Sequence, residues 1–361
     1  MDDDREFDEL ASLTGALLAA LEAFAFAARR LNPPDLPALV EAVGAPDEPL
    51  AEALARAAGW RGQAAVLREP LAASAEAVIA GFADLRAGAQ AVDLSRAFRA
   101  LRQRPIALEA LYPLAGLLPP VSRFFLEPEQ RGDLVLQARF REPAARTGVM
   151  HGGAEPGARG AFSLYVPEYY SPDRDWPLVV ALHGGSGDGR AFLWSWLRAA
   201  RTHGAIVVAP TAIGRTWALT GPDHDTPNLI GILDEVGARW RLDPQRLLLT
   251  GLSDGGTFSY VSGLEPGSPF THLAPVAAAF HPMLAQMADR ERLGGLPIHI
   301  IHGALDWMFP VDMAREAAST LQDAGADVTY REIPDLAHTF PSEMSADLLA
   351  WLEATPRPAP G

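Results

Sequence analysis

A short apolar run that leads into a glycine-rich turn constrains this chain most. Residues 246–250 read Arg-Leu-Leu-Leu-Thr, and residues 251–256, Gly-Leu-Ser-Asp-Gly-Gly, follow directly. A strand that enters Gly-x-Ser-x-Gly and continues into a helix makes a sharp turn, in which larger side chains beside the serine would collide with backbone. Such a turn presents the Ser253 hydroxyl at the carboxyl end of the strand. The alternative is a glycine-rich connection whose serine only caps the helix.

Two residues that a nucleophilic serine would need follow downstream. A serine hydroxyl is a weak nucleophile at neutral pH, so it needs an adjacent base, and the base needs a group that orients it. The apolar run 297–302 predicts a buried strand followed by a loop with Asp306, and the alternating run 327–333 predicts a strand followed by a loop with His338. Because all three residues follow predicted strands, we expect Ser253, Asp306 and His338 to meet at one edge of a sheet.

A second glycine-rich loop follows another apolar run. Residues 176–182 predict a strand, and residues 183–189 read His-Gly-Gly-Ser-Gly-Asp-Gly. Glycines let the backbone approach a substrate closely. A loop that cradles phosphate would end in Lys-Ser or Lys-Thr, which this loop does not do, so a nucleotide site is excluded here.

From about Arg159 to Glu353 the chain resembles α/β-hydrolases of the carboxylesterase/phospholipase and polyhydroxybutyrate-depolymerase-like esterase group. The matching motifs occur in the order of that group: residues 182–185 (Leu-His-Gly-Gly), 207–210 (Val-Val-Ala-Pro), 242–246 (Leu-Asp-Pro-Gln-Arg), 251–256, 302–306 (His-Gly-Ala-Leu-Asp) and 337–338 (Ala-His). Serine, aspartate and histidine also follow one another as in the triads of this fold. The first loop is unusually rich in glycine, and the cysteine pair that braces the site in some secreted relatives is absent.

The resemblance implies an α/β-hydrolase fold, with a mostly parallel sheet flanked by helices, and a serine esterase activity. It makes Ser253 the nucleophile, His338 the general base and acid, and Asp306 the residue that orients His338. Asp335 and Asp312 are the alternatives for the orienting acid, but the position at the end of a predicted strand favours Asp306.

The resemblance also implies an oxyanion hole made of backbone amides. Gly185 in the first loop and Asp254, directly after the proposed nucleophile, would supply the two donors, with Ser186 as the alternative to Gly185. The side chain of Asp254 is expected to point away from Ser253, so its backbone amide matters more than its carboxylate. One such donor contributes roughly a hundred- to a thousandfold in rate.

These features predict a hydrolase that cleaves carboxylic esters through an acyl-enzyme, with a small-molecule or polymeric ester as its substrate. A peptidase or amidase of the same fold is the first alternative, because the serine motif occurs there too. A binding protein that has lost catalysis and works through its N-terminal region is the second.

Composition excludes several other classes of partner. The net charge of −15 argues against binding to nucleic acid or to an anionic membrane. Cysteine is absent, so neither a disulfide framework nor a thiolate metal site can form. No His-Glu-x-x-His motif or histidine pair at helical spacing occurs, and we therefore expect neither a metal nor an organic cofactor.

Several histidines and tryptophans lie near predicted strand ends. His183 is interpreted as a structural hydrogen-bonding residue, and His302, inside a strand, as a buried imidazole with its hydrogen bonds satisfied. His281 either edges the pocket or packs. The tryptophans either wall an acyl pocket or pack in the core: Trp194, Trp196, Trp217 and Trp307.

Residues 1–125 are rich in alanine and leucine and predict a separate helical domain whose role is unknown. Its helices are expected at residues 47–58, 70–85, 94–102 and 106–117, with a further helix near the N-terminus. This domain could cap the site, mediate self-association or dock another protein.

Leucines and a phenylalanine between residues 10 and 31 follow helical spacing, with Glu22 near the middle of that segment. We interpret the segment as a helix of a bundle, because the charge of Glu22 disfavours the alternative of a membrane span. The chain begins with Met1 and three aspartates rather than with the basic residues of a secretory signal, so a cytoplasmic location is expected.

Residues 126–354 are predicted to form the catalytic domain, and the proline-rich residues 355–361 a disordered tail. Helices are expected at residues 228–240 and 313–324. Strands are expected at residues 133–141, 158–165, 178–182, 206–209, 246–250, 273–279, 298–302 and 328–333. Their alternation with helices predicts a mostly parallel sheet covered on both faces, with the site at the carboxyl ends of its strands.

Overall fold

Helices build the first of the two units into which the chain divides, Met1–Arg141 and Glu142–Gly361. The computed structural model describes residues 2–357. The helices of the first unit are α1 (Asp2–Arg30), α2 (Leu36–Val43), α3 (Asp47–Arg56), α4 (Gly62–Ala91), α5 (Leu94–Leu101), α6 (Gln103–Leu111), α7 (Pro119–Phe124) and α8 (Leu134–Ala138). The helical character predicted for the N-terminal region is therefore confirmed.

The apolar stripe predicted near the N-terminus is the core-facing side of α1. Leu13, Leu17 and Phe24 are buried, and the ring of Phe24 lies 5.0 Å from the ring of Phe82 in α4. Gly81 makes this contact possible, because a Cβ atom there would lie 2.5 Å from the Phe24 ring. Close packing of this kind is what an amphipathic helix needs to bury its apolar face.

Helix α1 is also long and apolar enough, over Arg5–Arg30, to cross a membrane by length and composition. A helix in the core of a protein can have the same length and composition. Of the 18-residue apolar stretch within this segment, 39% is buried inside the structure. Glu22 lies in the middle of α1 and makes a 2.6 Å ion pair with Arg131. These contacts are those of a bundle helix, the interpretation that the sequence favours.

The strand predicted at residues 133–141 is wrong. Asp133 instead caps α8, because its Oδ1 atom accepts hydrogen bonds from the amides of Val135 and Leu136 at 2.8 and 3.0 Å. An aspartate that satisfies two free amides stabilises a helical turn over a strand. The helical unit therefore extends to Arg141, whereas the sequence places the end of the helical domain at residue 125.

The second unit alternates strands and helices. Its strands are β1 (Gly148–Gly152), β2 (Phe162–Val166), β3 (Trp176–Leu182), β4 (Ile206–Pro210), β5 (Leu242–Leu252), β6 (His272–Val276), β7 (Pro297–Gly303) and β8 (Asp327–Ile333). Its helices are α9 (Gly189–Phe192), α10 (Leu197–His203), α11 (Asp225–Gly237), α12 (Asp254–Gly263), α13 (Met283–Met287), α14 (Arg290–Leu293), α15 (Val311–Asp323) and α16 (Met344–Ala354).

These strands form one eight-stranded sheet in the order β1-β2-β4-β3-β5-β6-β7-β8. The pairs β1–β2 and β2–β4 are antiparallel, and β4, β3, β5, β6, β7 and β8 run parallel to one another. The predicted fold class, a mostly parallel sheet with flanking helices, is confirmed. Central strands such as β3 and β7 are buried along their whole length, which explains why they read as unbroken apolar runs.

Two strand predictions differ from the structure. No strand is predicted over residues 148–152, yet they form the edge strand β1, which pairs with β2 and carries glycine at both ends. The strand predicted over residues 273–279 ends at Val276, because Ala277 turns the backbone into a left-handed conformation with φ 46°. Edge strands and strand ends carry weak sequence signals because one side or one end is unpaired.

The tail predicted to be disordered from residue 355 is ordered at its beginning. The carbonyl of Thr355 lies 2.6 Å from His272 Nε2, and the Arg357 guanidinium donates to the carbonyl of Gly294 at 3.1 Å. The remainder of the predicted tail, residues 358–361, lies outside the described residues.

Candidate active site

Ser253 occupies a strained turn between β5 and α12. Its backbone angles are φ 56° and ψ −119°, a conformation that side-chain-bearing residues rarely adopt. Glycines make the turn possible. A Cβ atom at Gly251 would lie 2.5 Å from the carbonyl carbon of Gly255, and one at Gly255 would lie 2.5 Å from the carbonyl oxygen of Leu182. The glycine spacing in the sequence thus reflects backbone contacts on both sides of the serine.

The structure brings together the three residues that the sequence singles out. Ser253 Oγ lies 2.9 Å from His338 Nε2, and His338 Nδ1 lies 2.8 Å from Asp306 Oδ2. A carboxylate only accepts hydrogen bonds, so Nδ1 carries the hydrogen. Nε2 of the neutral ring is then free to accept the hydroxyl proton of Ser253.

Backbone contacts between two loops hold Asp306 and His338 side by side. The amide of Leu305 donates to the carbonyl of Leu336 at 2.9 Å, which ties the loop after β7 to the loop after β8. A Cβ atom at Gly303 would collide with the same Leu336 carbonyl, so glycine is required at the end of β7. The loop after β7, which carries Asp306, and the loop after β8, which carries His338, therefore pack directly against each other.

Asp306 is a buried carboxylate with several hydrogen-bond donors. Its side chain is 0% exposed, and its Oδ1 atom accepts from the amides of Met308 and Phe309 at 2.9 and 2.8 Å. Burial acts to raise its pKa. The hydrogen bonds from His338 and from the two amides outweigh burial, so the pKa lies below its usual value of 3.8. The group is ionised at neutral pH.

The alternative acids lie elsewhere on the surface. Asp312 forms a 2.8 Å ion pair with Arg315, and its side chain is largely exposed. Asp335 is exposed as well. Asp306 is the carboxylate that the structure places at His338 Nδ1.

The glycines of the loop after β3 lie against the serine turn. A Cβ atom at Gly184 would stand 3.6 Å from Ser253 Cβ, and one at Gly185 would stand 2.7 Å from Asp254 Oδ2. Gly185 and Asp254, the two residues expected to supply oxyanion donors, are therefore neighbours. Ser186, the alternative donor, has the left-handed φ of 59°.

His183 is a fixed structural residue, as the sequence suggests. Its Nδ1 lies 2.7 Å from the carbonyl of Gly184, and its Nε2 accepts from the amide of Ala212 at 3.1 Å. Burial lowers its pKa, so the ring is neutral with hydrogen on Nδ1. The His183 carbonyl in turn accepts a 2.7 Å hydrogen bond from Trp217 Nε1, which makes this tryptophan a packing residue of the loop.

Residues that sequence reasoning missed tie the loop after β4 to the site. Thr216 Oγ1 donates a 2.6 Å hydrogen bond to Asp254 Oδ2. Asp225 is buried and accepts from the amides of Ile213 and Ala218, both at 2.8 Å. Thr216 lies in an irregular loop and Asp225 is the first residue of α11, and no periodic pattern or motif in the sequence marks either of them.

His302 is buried, as predicted, but only one of its nitrogens has a partner. Its Nε2 lies 2.9 Å from the carbonyl of Phe309, whereas Nδ1 has no hydrogen-bond partner among the described atoms. His281, the other histidine considered, accepts from the amide of Met283 through Nδ1 at 3.2 Å.

Aromatic side chains flank the imidazole of His338. The ring of Phe309 lies 5.3 Å from it and that of Trp307 lies 6.3 Å from it, both edge-on. Trp307 is 45% exposed, and its neighbours Leu305 and Met308 are 46% and 47% exposed. An apolar surface therefore adjoins the serine and histidine.

No cluster of three or more His, Cys, Asp or Glu side chains that could hold a metal ion occurs among the described residues.

Residues 225–355 match the sequence family described as phospholipase/carboxylesterase. Among curated proteins, the chain is 29% identical over 157 residues to the bifunctional acetylxylan esterase/xylanase XynS20E of Neocallimastix patriciarum. This alignment covers 42% of the chain and only 22% of that protein. The chain is also 26% identical over 262 residues to the putative esterase NocK of Nocardia uniformis subsp. tsuyamanensis, which covers 69% of the chain and 72% of NocK.

Among solved structures, a thermostable esterase is similar to part of the chain, with a TM-score of 0.44 and 23% sequence identity. The similarity covers 55% of this chain and 59% of that one. The mostly parallel sheet with its flanking helices is that of an α/β-hydrolase. The family match and the curated relatives show that the chain is similar to esterases of that superfamily.

Proposed function

We propose that the protein hydrolyses carboxylic esters through an acyl-enzyme on Ser253. The observation that carries the proposal is the hydrogen-bonded chain from Asp306 through His338 to Ser253, with distances of 2.8 and 2.9 Å. A hydroxyl, an imidazole and an ionised carboxylate in this order supply a nucleophile, a base and a group that orients the base.

In the first half of the reaction, Ser253 Oγ attacks the ester carbonyl carbon while His338 Nε2 takes the hydroxyl proton. The carbonyl oxygen becomes an oxyanion, which the amides of Gly185 and Asp254 stabilise. The tetrahedral intermediate then collapses. The bond between carbon and the alcohol oxygen breaks, His338 returns its proton to that oxygen, and the acyl group stays on Ser253.

In the second half, His338 takes a proton from water, and the resulting hydroxide oxygen attacks the acyl carbon. Collapse of the second intermediate releases the carboxylic acid, and the proton on His338 returns to Ser253 Oγ. Asp306 holds the Nδ1–H tautomer throughout and stabilises the imidazolium that forms twice in each cycle.

Similarity favours an ester over an amide as the bond that is cleaved. The matched family is described as phospholipase/carboxylesterase, and both curated relatives bear esterase names. A peptidase or amidase of the same fold is the alternative. Turnover of nitrophenyl esters with little turnover of matched nitroanilides supports the proposal, and the reverse preference supports the alternative.

Ser253→Ala tests the proposal directly. We expect this variant to lose nitrophenyl-ester turnover and labelling by a fluorophosphonate probe while it keeps the thermal unfolding of the wild type. Ser262→Ala is a matched control, because Ser262 is a buried serine of α12, the helix that follows Ser253, and its hydroxyl has no hydrogen-bond partner among the described atoms. Ester turnover that persists in Ser253→Ala refutes the nucleophile. A wild-type protein that the probe does not label supports a non-catalytic binding role.

The cytoplasmic location and any role of the helical unit in self-association or in covering the site stay predictions. For the natural substrate we propose only its class, a carboxylic ester. XynS20E is named for acetylxylan, and both a small and a polymeric ester fit the chemistry described above.

A further inference from the structure

The buried side chain of His302 lies beside the carboxylate of Asp306. Its Nε2 atom lies 2.9 Å from the carbonyl oxygen of Phe309 and 3.4 Å from Asp306 Oδ2. A carbonyl oxygen only accepts, so Nε2 carries the hydrogen and donates it to Phe309, while Asp306 Oδ2 lies within ion-pair distance of the same nitrogen. The side chain of His302 is 1% exposed, and water therefore does not compete for this hydrogen.

The contacts of His302 fix the turn that carries Asp306. Phe309 donates its amide to Asp306 Oδ1 at 2.8 Å, and its carbonyl accepts from His302. Both the amide and the carbonyl of Phe309 therefore make hydrogen bonds that fix the turn carrying Asp306. Asp306 Oδ2, which His302 approaches, is also the oxygen that accepts from His338 Nδ1.

We propose that His302 is a positioning residue of the reaction, which fixes the carboxylate of Asp306 and withdraws part of its negative charge from His338. The inference rests on the proposed function, because it assigns His302 a role in orienting the base of that reaction. It acts through Asp306 and does not touch the substrate.

Other charged groups near His302 are held by partners of their own. Glu332 on β8 is the register neighbour of His302, and its carboxylate accepts from both Arg315, at 2.8 and 2.9 Å, and Tyr330. The hydrogen bonds from Arg315 and Tyr330 lower the pKa of Glu332, with a smaller contribution from His302. Asp306 Oδ2 is the charged atom that lies 3.4 Å from His302 Nε2, and His338 Nδ1 contacts the same oxygen.

The unpaired Nδ1 atom gives a way to separate positioning from packing. Phenylalanine resembles histidine in shape, and His302→Phe removes a buried nitrogen that has no partner among the described atoms. If His302 served packing alone, this change would leave the pH profile of kcat/KM unchanged, whatever the loss of the bond to Phe309 does to stability. If the Nε2 hydrogen matters, the same change impairs the reaction while the fold remains.

We expect His302→Phe to lower kcat roughly tenfold with little change in KM, because the turn that carries Asp306 loses its hydrogen bond to Nε2 and the carboxylate loses the N–H group beside it. The acid limb of the pH profile of kcat/KM should also move upward by about half a pH unit. Without His302, more of the negative charge of Asp306 acts on His338, so the inactive imidazolium persists to higher pH.

His302→Gln is the conservative variant, because its amide nitrogen can reach the position of Nε2, and it should restore most of kcat and the position of the acid limb. If His302→Phe does not fold, His302→Asn provides the same test, since its amide corresponds to Nδ1 and leaves Phe309 and Asp306 without the donor.

His299→Phe is the matched control. His299 lies on the same strand, is buried, and also has an unpaired Nδ1 among the described atoms. Since successive residues of a strand alternate between faces, it points away from His302, and its ring packs against Trp351 at 5.3 Å. We expect it to leave the pH profile unchanged.

Kinetics of the full-length variants with a nitrophenyl ester, together with thermal unfolding, decide the matter. A pH profile for His302→Phe that matches those of the wild type and His299→Phe overturns the inference alone, with the proposed function intact. A wild type that neither turns over esters nor reacts with a fluorophosphonate overturns both. A shifted acid limb that His302→Gln reverses supports the positioning role.

Discussion

The carboxylate of Asp254 occupies the space beside Gly185, since a Cβ atom at residue 185 would lie 2.7 Å from Asp254 Oδ2. The same oxygen accepts a 2.6 Å hydrogen bond from Thr216 Oγ1. The loop after β3, the loop after β4 and the first residue of α12 therefore meet at one carboxylate. This contact sets the spacing between the two residues whose amides we propose as oxyanion donors.

Gly185→Ala should lower kcat/KM about a hundredfold. Contacts under 3.0 Å do not persist at a Cβ atom, so either the loop or the Asp254 carboxylate must move, and loss of one oxyanion donor costs roughly that factor. Initial rates with a nitrophenyl ester measure the effect. Gly231→Ala in α11 is the control, because a Cβ atom there meets no atom within 4 Å.

The double variant Gly185→Ala/Asp254→Ala separates the two explanations of such a loss. If the collision with the carboxylate is the cause, the double variant should be more active than Gly185→Ala alone. Wild-type kcat/KM in Gly185→Ala would mean that the loop relaxes freely and that its geometry does not limit the reaction.

Asp306→Asn should lower kcat on the order of a thousand- to ten-thousandfold with KM nearly unchanged. An amide at this position can donate to His338 Nδ1 and so favours the wrong tautomer of the imidazole. Steady-state kinetics at pH 8 provide the measurement, and Asp335→Asn is the control because Asp335 is an exposed carboxylate of the neighbouring loop. A larger loss in Asp335→Asn than in Asp306→Asn would contradict the assignment.

The parts of the fold that the sequence predicts well are those set by local chemistry. Buried parallel strands such as β3 and β7 give unbroken apolar runs, and the glycines beside Ser253 are demanded by backbone contacts within a few residues. The positions of Asp306 and His338 after their strands are likewise local, and parallel pairing brings strand ends together. These features can be predicted from the sequence because each depends mainly on residues close to it along the chain.

Other features depend on contacts that no local pattern records. The run 133–141 alternates like a strand, but capping by Asp133 makes it helical. Thr216 and Asp225 act through loops brought together by the sheet, and the partners of His302 arise from a turn that tightens around Asp306. Long-range hydrogen bonds of this kind can be found only once the chain is folded.

Acid should destabilise the protein partly through His272. This histidine is the first residue of β6, is fully buried and lies against Thr355, and burial lowers its pKa to about 4 from an ordinary 6.5. The stabilising contribution of the neutral ring is complete above pH 6.5 and is lost as the pH falls towards 4, by up to about 3 kcal/mol. Burial lowers the pKa of His183 and His299 in the same direction.

Urea unfolding of the wild type and of His272→Gln at pH 7.5 and pH 5 isolates this contribution. We expect the free energy of unfolding to fall less between the two pH values in the variant, since glutamine can donate to the Thr355 carbonyl without gaining a charge. His224→Gln, at an exposed histidine, should keep the pH dependence of the wild type. Equal pH dependence in His272→Gln would assign the acid sensitivity to other groups.

Trp307 should favour esters with longer acyl chains. Its ring lies 6.3 Å from that of His338, and Trp307, Leu305 and Met308 each expose nearly half of their surface beside the site. Each methylene that such a surface removes from water contributes about 0.8 kcal/mol, and partial contact over a few methylenes corresponds to roughly tenfold in rate. Trp307→Ala should therefore lower the ratio of kcat/KM for nitrophenyl octanoate to that for nitrophenyl acetate about tenfold.

The acetate ester is the internal control, because it is too short to lie along this surface, and Trp307→Phe should keep most of the preference. An equal loss on both esters would instead mean that Trp307 acts on His338, whose ring it meets edge-on. In that case the acid limb of the pH profile would move as well, because a change in the surroundings of the imidazole alters how firmly it holds its proton. The chain-length ratio and the pH profile together therefore separate contact with the substrate from support of the base.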